Sequence, residues 1–143
     1  MILYLDTSAL VKLFLDEQHS DLVRHWAEAS ARVMVSELSW TEMCAALALK
    51  RRTGQITVTQ VSATLAELDR DWPRYQRLGT DAALFADAGK LALRLDLRAY
   101  DSVQLASAWR AFGATGAALK FCSFDRKLNT AAQGLGLPVI TAV

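Results

Sequence analysis

The stretch that decides the fold is Ile2-Leu3-Tyr4-Leu5-Asp6-Thr7-Ser8. Its first four residues are apolar, and a short apolar run bounded by polar residues is typical of a strand buried on both faces of a parallel sheet. Asp6 follows this run directly, and we expect a helix over 9–15 with Thr7 or Ser8 as its N-cap. Sites in open parallel α/β sheets form at the carboxyl ends of strands. The stretch therefore predicts a central strand with an acidic group at the functional edge of the sheet.

The rest of the chain alternates short apolar runs with helical segments. We expect strands at 32–35, 119–122 and 138–140, and helices at 21–31, 39–52, 57–70, 79–95, 99–112 and 125–133. Ser36 or Ser39 is the expected cap of the third helix, Thr57 and Gln60 form a capping box, and Gly113 ends the helix that begins at Ala99. This alternation predicts an α/β domain of three layers, with a mostly parallel central sheet flanked by helices. Whether 57–71 belongs to a sheet layer or to a projecting helical hairpin stays open.

Composition limits the classes of protein that fit. The 143 residues suffice for one domain over 1–143, and 52% hydrophobic content excludes a disordered chain. The net charge is only +1, so nucleic-acid contact would depend on where charges lie. Cys44 and Cys122 lie in apolar surroundings and are interpreted as buried thiols in a reducing compartment. Without a signal peptide or an apolar run of about 20 residues, we expect a cytoplasmic protein with no membrane partner.

Four acidic residues occupy positions that favour a shared site. Asp6 and Asp125 follow the strands at 2–5 and 119–122, while Glu42 and Asp101 lie near the starts of apolar helices. Carboxylates gathered without fixed cationic partners repel one another, and a hard divalent cation with oxygen ligands resolves that repulsion. Such an ion can position a phosphodiester and activate water. The pattern therefore predicts metal-assisted phosphodiester hydrolysis.

Each acid also has an ordinary structural interpretation. Asp6 and Asp125 could be N-caps of the helices that follow them. Asp101 could complement its helix dipole. Glu42 could pair with Lys50 or with another exposed cation. These alternatives remain open at the level of sequence.

Four motifs together resemble those of the PIN-domain family. The motifs are Leu5-Asp6-Thr7-Ser8-Ala9-Leu10-Val11-Lys12-Leu13, then Glu42 after Ser39-Trp40-Thr41, then residues 97–108 around Asp101, and Phe124-Asp125-Arg126-Lys127-Leu128. Their order and spacing extend the resemblance over essentially the whole chain. Within the family, the closest similarity is to the toxin half of VapBC-type toxin–antitoxin pairs.

The resemblance implies a magnesium-dependent endoribonuclease, with Mn²⁺ able to substitute for Mg²⁺. It also implies a homodimer and a small cognate antitoxin that covers the active site. The residues implied as catalytic and metal-binding are Asp6, Glu42, Asp101 and Asp125. The residues implied as supporting hydrogen-bond groups are Thr7, Ser8 and Ser123.

Basic and aromatic residues give less specific signals. Arg98, Arg126 and Lys127 lie next to the acidic motifs and are candidates for RNA contact, since Lys and Arg supply the sequence-independent part of binding. The cluster 50–52 ends a helix and is interpreted as a favourable contact with the helix dipole. His19 and His25 have no evident catalytic partner and are expected at the surface.

Three competing functions are considered. A phosphatase of the haloacid dehalogenase kind requires a second Asp two positions after the first, and that position is Ser8. A degenerate domain that only binds a partner, without catalysis, is less consistent with four retained acids. A stand-alone PIN nuclease without an antitoxin would retain the same acids. A nuclease assay with a chelator separates an enzyme from a binding module.

Overall fold

The computed structural model describes residues 1–140 and has a five-stranded sheet at its centre, so the last three residues of the expected domain 1–143 lie outside it. The strands are β1 (Ile2–Leu5), β2 (Arg32–Ser36), β3 (Gln76–Leu78), β4 (Leu119–Cys122) and β5 (Val139–Ile140). Their order is β3-β2-β1-β4-β5, and every pairing is parallel. The prediction of an α/β domain with a parallel central sheet is confirmed.

Seven α-helices of residues 1–140 cover the two faces of the sheet. They are α1 (Thr7–Phe14), α2 (Ser20–Ala29), α3 (Leu38–Arg52), α4 (Val58–Asp71), α5 (Ala82–Leu95), α6 (Ala99–Thr115) and α7 (Arg126–Gly134). The core on one face is formed with α1 to α4, and the core on the other with α5 to α7. This is the three-layer arrangement that the alternation of strands and helices predicts.

Strand β1 is the central strand, as its apolar sequence predicts. It pairs with β2 on one side and with β4 on the other. Successive side chains of a strand point to opposite faces, so Leu3 and Leu5 join the core under α1 to α4, and Ile2 and Tyr4 join the other core. Both cores therefore converge on the strand that ends at Asp6.

Two local expectations are wrong and one strand was missed, each for a physical reason. Asp6, and not Thr7 or Ser8, is the N-cap of α1, because its carboxylate accepts the hydrogen bond of the Ala9 amide. Helix α6 passes through Gly113 and ends at Gly116, where a φ of 69° requires the conformational freedom of glycine. Strand β3 was not predicted, because an edge strand of three residues with exposed Gln76 and Arg77 shows no apolar pattern.

The open question about 57–71 is answered by packing. Helix α4 contacts both α3 and α1, and Leu68 is completely buried in the core beneath them. Helix α4 therefore belongs to the helix layer that covers one face of the sheet, and it also forms a hairpin with α3. The Thr57–Gln60 capping box is confirmed: each side chain accepts the other residue's backbone N–H.

The expectation of two unpaired thiols is confirmed, although their burial differs. Cys122 is completely buried at the end of β4, whereas Cys44 is only partly buried. Burial and the nearby charge of Asp6 raise the pKa of the Cys122 thiol, which therefore stays protonated and inert.

No helix within residues 1–140 has the length and hydrophobicity needed to cross a bilayer.

The capping box supplies a test of helix α4. Replacing Thr57 by Ala removes the acceptor of the Gln60 amide, so we expect a loss of about 1 kcal/mol in the free energy of unfolding. Urea unfolding followed by circular dichroism measures it. Thr59→Ala, two residues on and equally exposed, is the matched control and should stay within about 0.5 kcal/mol of the parent. Equal effects of the two changes would contradict the capping role.

Candidate active site at the carboxyl edge of the sheet

Asp6 is the buried centre of the site, with only 4% of its surface exposed. Its Oδ1 accepts hydrogen bonds from Ser8 Oγ at 2.7 Å and from the Ala9 amide at 3.0 Å. Its Oδ2 accepts one from Ser123 Oγ at 2.6 Å. The capping interpretation is therefore correct, and the same carboxylate is also held by side chains from two different turns.

These hydrogen bonds join the turn after β1 to the turn after β4. Ser123 Oγ, which donates to Asp6, accepts from the Asp125 amide at 3.0 Å. Ser8 Oγ, which also donates to Asp6, accepts from the Phe124 amide at 2.9 Å. The expectation that Ser8 and Ser123 act as supporting groups thus has a geometric basis, because each serine links Asp6 to the segment that contains Asp125.

Glu42 projects from the second turn of α3 toward the same edge. Its Oε1 accepts hydrogen bonds from Thr7 Oγ1 at 2.9 Å and from Gln104 Nε2 at 2.7 Å. The alternative pairing of Glu42 with Lys50 is wrong, since Lys50 Nζ lies 3.2 Å from Glu17 Oε2. Among the described residues, no hydrogen bond ends on Glu42 Oε2, so this oxygen remains available to a ligand.

Asp101 and Asp125 meet through Arg98, the residue before α6. Arg98 Nε donates to Asp101 Oδ2 at 3.0 Å, and its Nη2 lies 3.9 Å from Asp125 Oδ2. The bond with Asp101 is the main cause that raises the pKa of Arg98, and the charges of Asp125 and Glu42 add to it. Three of the four acids therefore act electrostatically on one guanidinium. Asp125 Oδ1 also caps α7 by accepting from the Leu128 amide.

The other candidate RNA contacts differ in their surroundings. Arg98 is largely exposed above the acids, and Arg126 is exposed at the start of α7. Lys127 is directed to another segment, since its Nζ donates to the Asp96 carbonyl.

His19, expected at the surface, is half buried and stacks on Phe124, with ring centroids 5.5 Å apart. Its backbone is in the left-handed region, with a φ of 70°, directly before α2.

Three residues near the site were missed by the sequence analysis. Tyr4, Ser39 and Gln104 are all buried and are hydrogen-bonded to one another or to Glu42. A signal existed for Gln104 alone: it is a polar residue in an apolar helical run, three positions after Asp101 and hence on the same helix face. Tyr4 and Ser39 gave no signal, because only the fold brings them together.

Burial is the dominant effect on the ionisation of Asp6. It raises the pKa of the carboxyl group from 3.8 to about 6, against the opposing hydrogen bonds from Ser123, Ser8 and the Ala9 amide. The negative charge of Glu42 raises it further. Within residues 1–140, neither Asp6 nor Glu42 forms an ion pair with a basic residue. The site is therefore short of positive charge at its buried end.

The donor set suits a hard cation that retains much of its water. All the acidic ligands offer oxygen, the donor that Mg²⁺ and Mn²⁺ prefer. Within the described residues, no three His, Cys, Asp or Glu side chains are arranged to hold a metal ion together. Mg²⁺ is commonly bound through only one or two carboxylates and several waters, so the buried Asp6 together with one further carboxylate of the site fits that mode.

A parallel three-layer sheet that gathers carboxylate and hydroxyl oxygens at its carboxyl edge is the arrangement in which open α/β proteins place their functional sites. The chain belongs to the PIN-domain family, whose profile matches residues 3–134. It is 34% identical to "Ribonuclease VapC45" of Mycobacterium tuberculosis over 99% of this chain and 96% of that protein.

Solved structures share the fold at lower identity. FitAcB from Neisseria gonorrhoeae superposes with a TM-score of 0.69 at 20% identity, covering 99% of this chain and 97% of that one. A toxin–antitoxin complex from Klebsiella pneumoniae superposes with a TM-score of 0.64 at 17% identity, covering 96% and 95%. At these identities the likeness is one of fold.

The raised pKa of Asp6 predicts a specific pH dependence of stability. Because the folded value exceeds the unfolded one, neutral Asp6 stabilises the fold below about pH 4, and this contribution is lost as the pH rises through about 6. In EDTA, Asp6→Asn should therefore gain about 2–3 kcal/mol on the parent between pH 4 and 7.5. Asn retains the cap of α1. Urea unfolding at several pH values measures the difference, and a gap independent of pH would contradict this account.

Proposed function

We propose that this chain is a magnesium-dependent endoribonuclease that acts as the toxin of a toxin–antitoxin pair. The observation that carries the proposal is the buried Asp6 carboxylate, which accepts hydrogen bonds from the turns after β1 and β4 and forms no ion pair within residues 1–140. Similarity to a curated protein named a ribonuclease supports RNA as the substrate. The shared fold with a toxin–antitoxin complex supports the biological role.

In this proposal Asp6 and Asp101 hold Mg²⁺, directly or through water, and Glu42 and Asp125 complete the site. The bound ion supplies positive charge that polarises the scissile phosphate and favours ionisation of a water molecule. Ser8, Ser123 and the Ala9 amide keep the Asp6 carboxylate in one orientation.

The chain's own residues also suit the proton transfer of hydrolysis. Glu42 is fixed through Oε1, which leaves Oε2 to orient the attacking water and accept its proton. Attack on phosphorus would leave a 5′-phosphate and a 3′-hydroxyl. Without a metal, Arg98 partly neutralises Asp101 and Asp125. On substrate binding, the exposed guanidinium can instead contact an RNA phosphate.

Partner binding is the second part of the proposal. We infer a homodimer, and a small antitoxin whose chain covers the acidic edge. Large apolar side chains exposed on α5 and α6 supply surface for a second copy: Phe85 is 53% exposed, Leu93 90% and Trp109 41%. Light scattering should give twice the mass of one chain. A monomeric mass at micromolar concentration would contradict the dimer without affecting the nuclease.

Asp101→Asn tests the nuclease. The change removes one charge at a partly exposed position, so we expect a normal melting temperature and a loss of cleavage of about 100-fold or more. Purified protein is incubated with total cellular RNA and Mg²⁺, with and without EDTA, and new 5′-phosphate ends are counted by adaptor ligation and sequencing. Asp69→Asn, an exposed acid on α4, is the control and should cleave like the parent.

Several outcomes would overturn the nuclease proposal. Cleavage that persists in EDTA, or products with 2′,3′-cyclic phosphate ends, would exclude the metal-assisted mechanism. Absence of cleavage together with no Mn²⁺ binding by calorimetry would favour a domain that only binds a partner. Full activity of Asp101→Asn would refute the assignment of the site.

The basic residues allow a matched test of RNA contact. In an Asp101→Asn background, Arg98→Gln should weaken RNA binding and reduce the salt slope by about 1, because an exposed guanidinium at the site is lost. Lys127→Gln should have little effect, since this side chain is directed to Asp96. Fluorescence anisotropy with labelled RNA at several salt concentrations measures both. Equal losses of RNA affinity in the two variants would contradict the prediction that the direction of each side chain determines whether it contacts RNA.

A further inference from the structure

A chain of buried hydrogen bonds leads from the central strand to Glu42. Tyr4 is completely buried, and its hydroxyl donates to Gln104 Oε1 at 2.7 Å. Gln104, only 2% exposed, donates from Nε2 to Glu42 Oε1 at 2.7 Å and to Ser39 Oγ at 2.9 Å. The residues in contact are 100, 65 and 62 positions apart in the sequence, so this arrangement is a product of the tertiary fold.

We propose that Gln104 is a positioning residue that sets the orientation of Glu42, and that Tyr4 in turn sets the orientation of Gln104. The inference depends on the proposed function, in which Glu42 takes part in the metal site. It assigns the reaction two residues that have no contact with substrate and that act only through Glu42.

The physical basis is the asymmetry of the Gln104 amide. Its carbonyl can only accept a hydrogen bond and its NH₂ group can only donate. The Glu42 carboxylate can only accept and therefore requires the NH₂ end, and the Tyr4 hydroxyl donates to the carbonyl end and holds it in place. The opposite end then presents both N–H groups to Glu42 and Ser39. A flipped amide would place its carbonyl oxygen against the Glu42 carboxylate. Because the group is buried, these differences are larger than they would be in water.

The hydrogen bonds from Tyr4 through Gln104 to Glu42, called the relay below, determine which oxygen of Glu42 is free. Gln104 and Thr7 both donate to Oε1, which holds the carboxylate in one rotamer. Without the Gln104 bond, Glu42 would keep only the Thr7 bond and would regain rotamer freedom. Glu42 would then adopt less often the one geometry in which it can bind an ion and orient water.

The experiment compares three variants of the full-length protein. Gln104→Leu removes the relay, and Tyr4→Phe removes one hydroxyl and leaves the packing intact. Thr64→Val is the matched control, because it also removes one buried hydroxyl, and Thr64 lies on α4 and forms none of the hydrogen bonds that join Tyr4, Gln104 and Glu42. For each variant we would measure the melting temperature, Mn²⁺ affinity by electron paramagnetic resonance, and kcat and KM for RNA cleavage.

We expect Gln104→Leu to lower Mn²⁺ affinity or kcat by about 10-fold or more, with KM for RNA unchanged within about twofold. Tyr4→Phe should change the same quantities in the same direction by a smaller factor, and Thr64→Val should leave them unchanged. A purely structural role would lower the melting temperature and leave Mn²⁺ affinity and kcat of the folded protein unchanged. That result would overturn the proposal.

Two further outcomes are separated by design. If Gln104→Leu does not fold, Tyr4→Phe decides the question, because parental Mn²⁺ affinity and kcat in that variant would refute the relay. If the parent protein itself neither binds Mn²⁺ nor cleaves RNA, the proposed function fails. If the parent is active and the variants match it, only the positioning role fails.

Discussion

The structure depends on one buried carboxylate, that of Asp6. It ends the central strand, caps α1 through the Ala9 amide and accepts the hydroxyls of Ser8 and Ser123. Removing an acid from water without a cationic partner has a free-energy cost, and the raised pKa of Asp6 is its measure. Three donated hydrogen bonds offset part of this cost. They also keep the turns after β1 and β4 together, so fold and site share the same interactions.

The electrostatics of the site divide into two pairs of acids that differ in their hydrogen-bond partners. Asp6 and Glu42 are held by neutral hydrogen-bond donors, whereas Asp101 and Asp125 share the exposed guanidinium of Arg98. A neutral donor orients a carboxylate but does not cancel its charge. The charges of Asp6 and Glu42 therefore remain without a cationic partner within residues 1–140, whereas Asp101 and Asp125 could exchange the guanidinium for another cation. This division is consistent with the proposed site, in which a metal ion and a phosphate would both bind.

Much of the fold could be predicted from sequence, whereas the set of four site acids stays a prediction. Strand β1, the capping box at Thr57 and the alternation of strands and helices follow from local periodicity and turn chemistry. Strand β3 and the passage of α6 through Gly113 could not be predicted, because neighbouring elements and not local preference stabilise them. The same limit applies to Lys127, which is adjacent in sequence to an acidic motif yet is directed to Asp96.

The sequence by itself determined which chemical groups are available and which elements present them, because apolar periodicity and capping preferences are local properties of the chain. It could not determine that Asp6 is both a helix cap and a site acid, since both roles use the same residue. Only the tertiary structure decided that Tyr4, Ser39 and Gln104 form a buried path to Glu42. Such a path needs atoms within about 3 Å of one another across long sequence separations, and packing alone sets those distances.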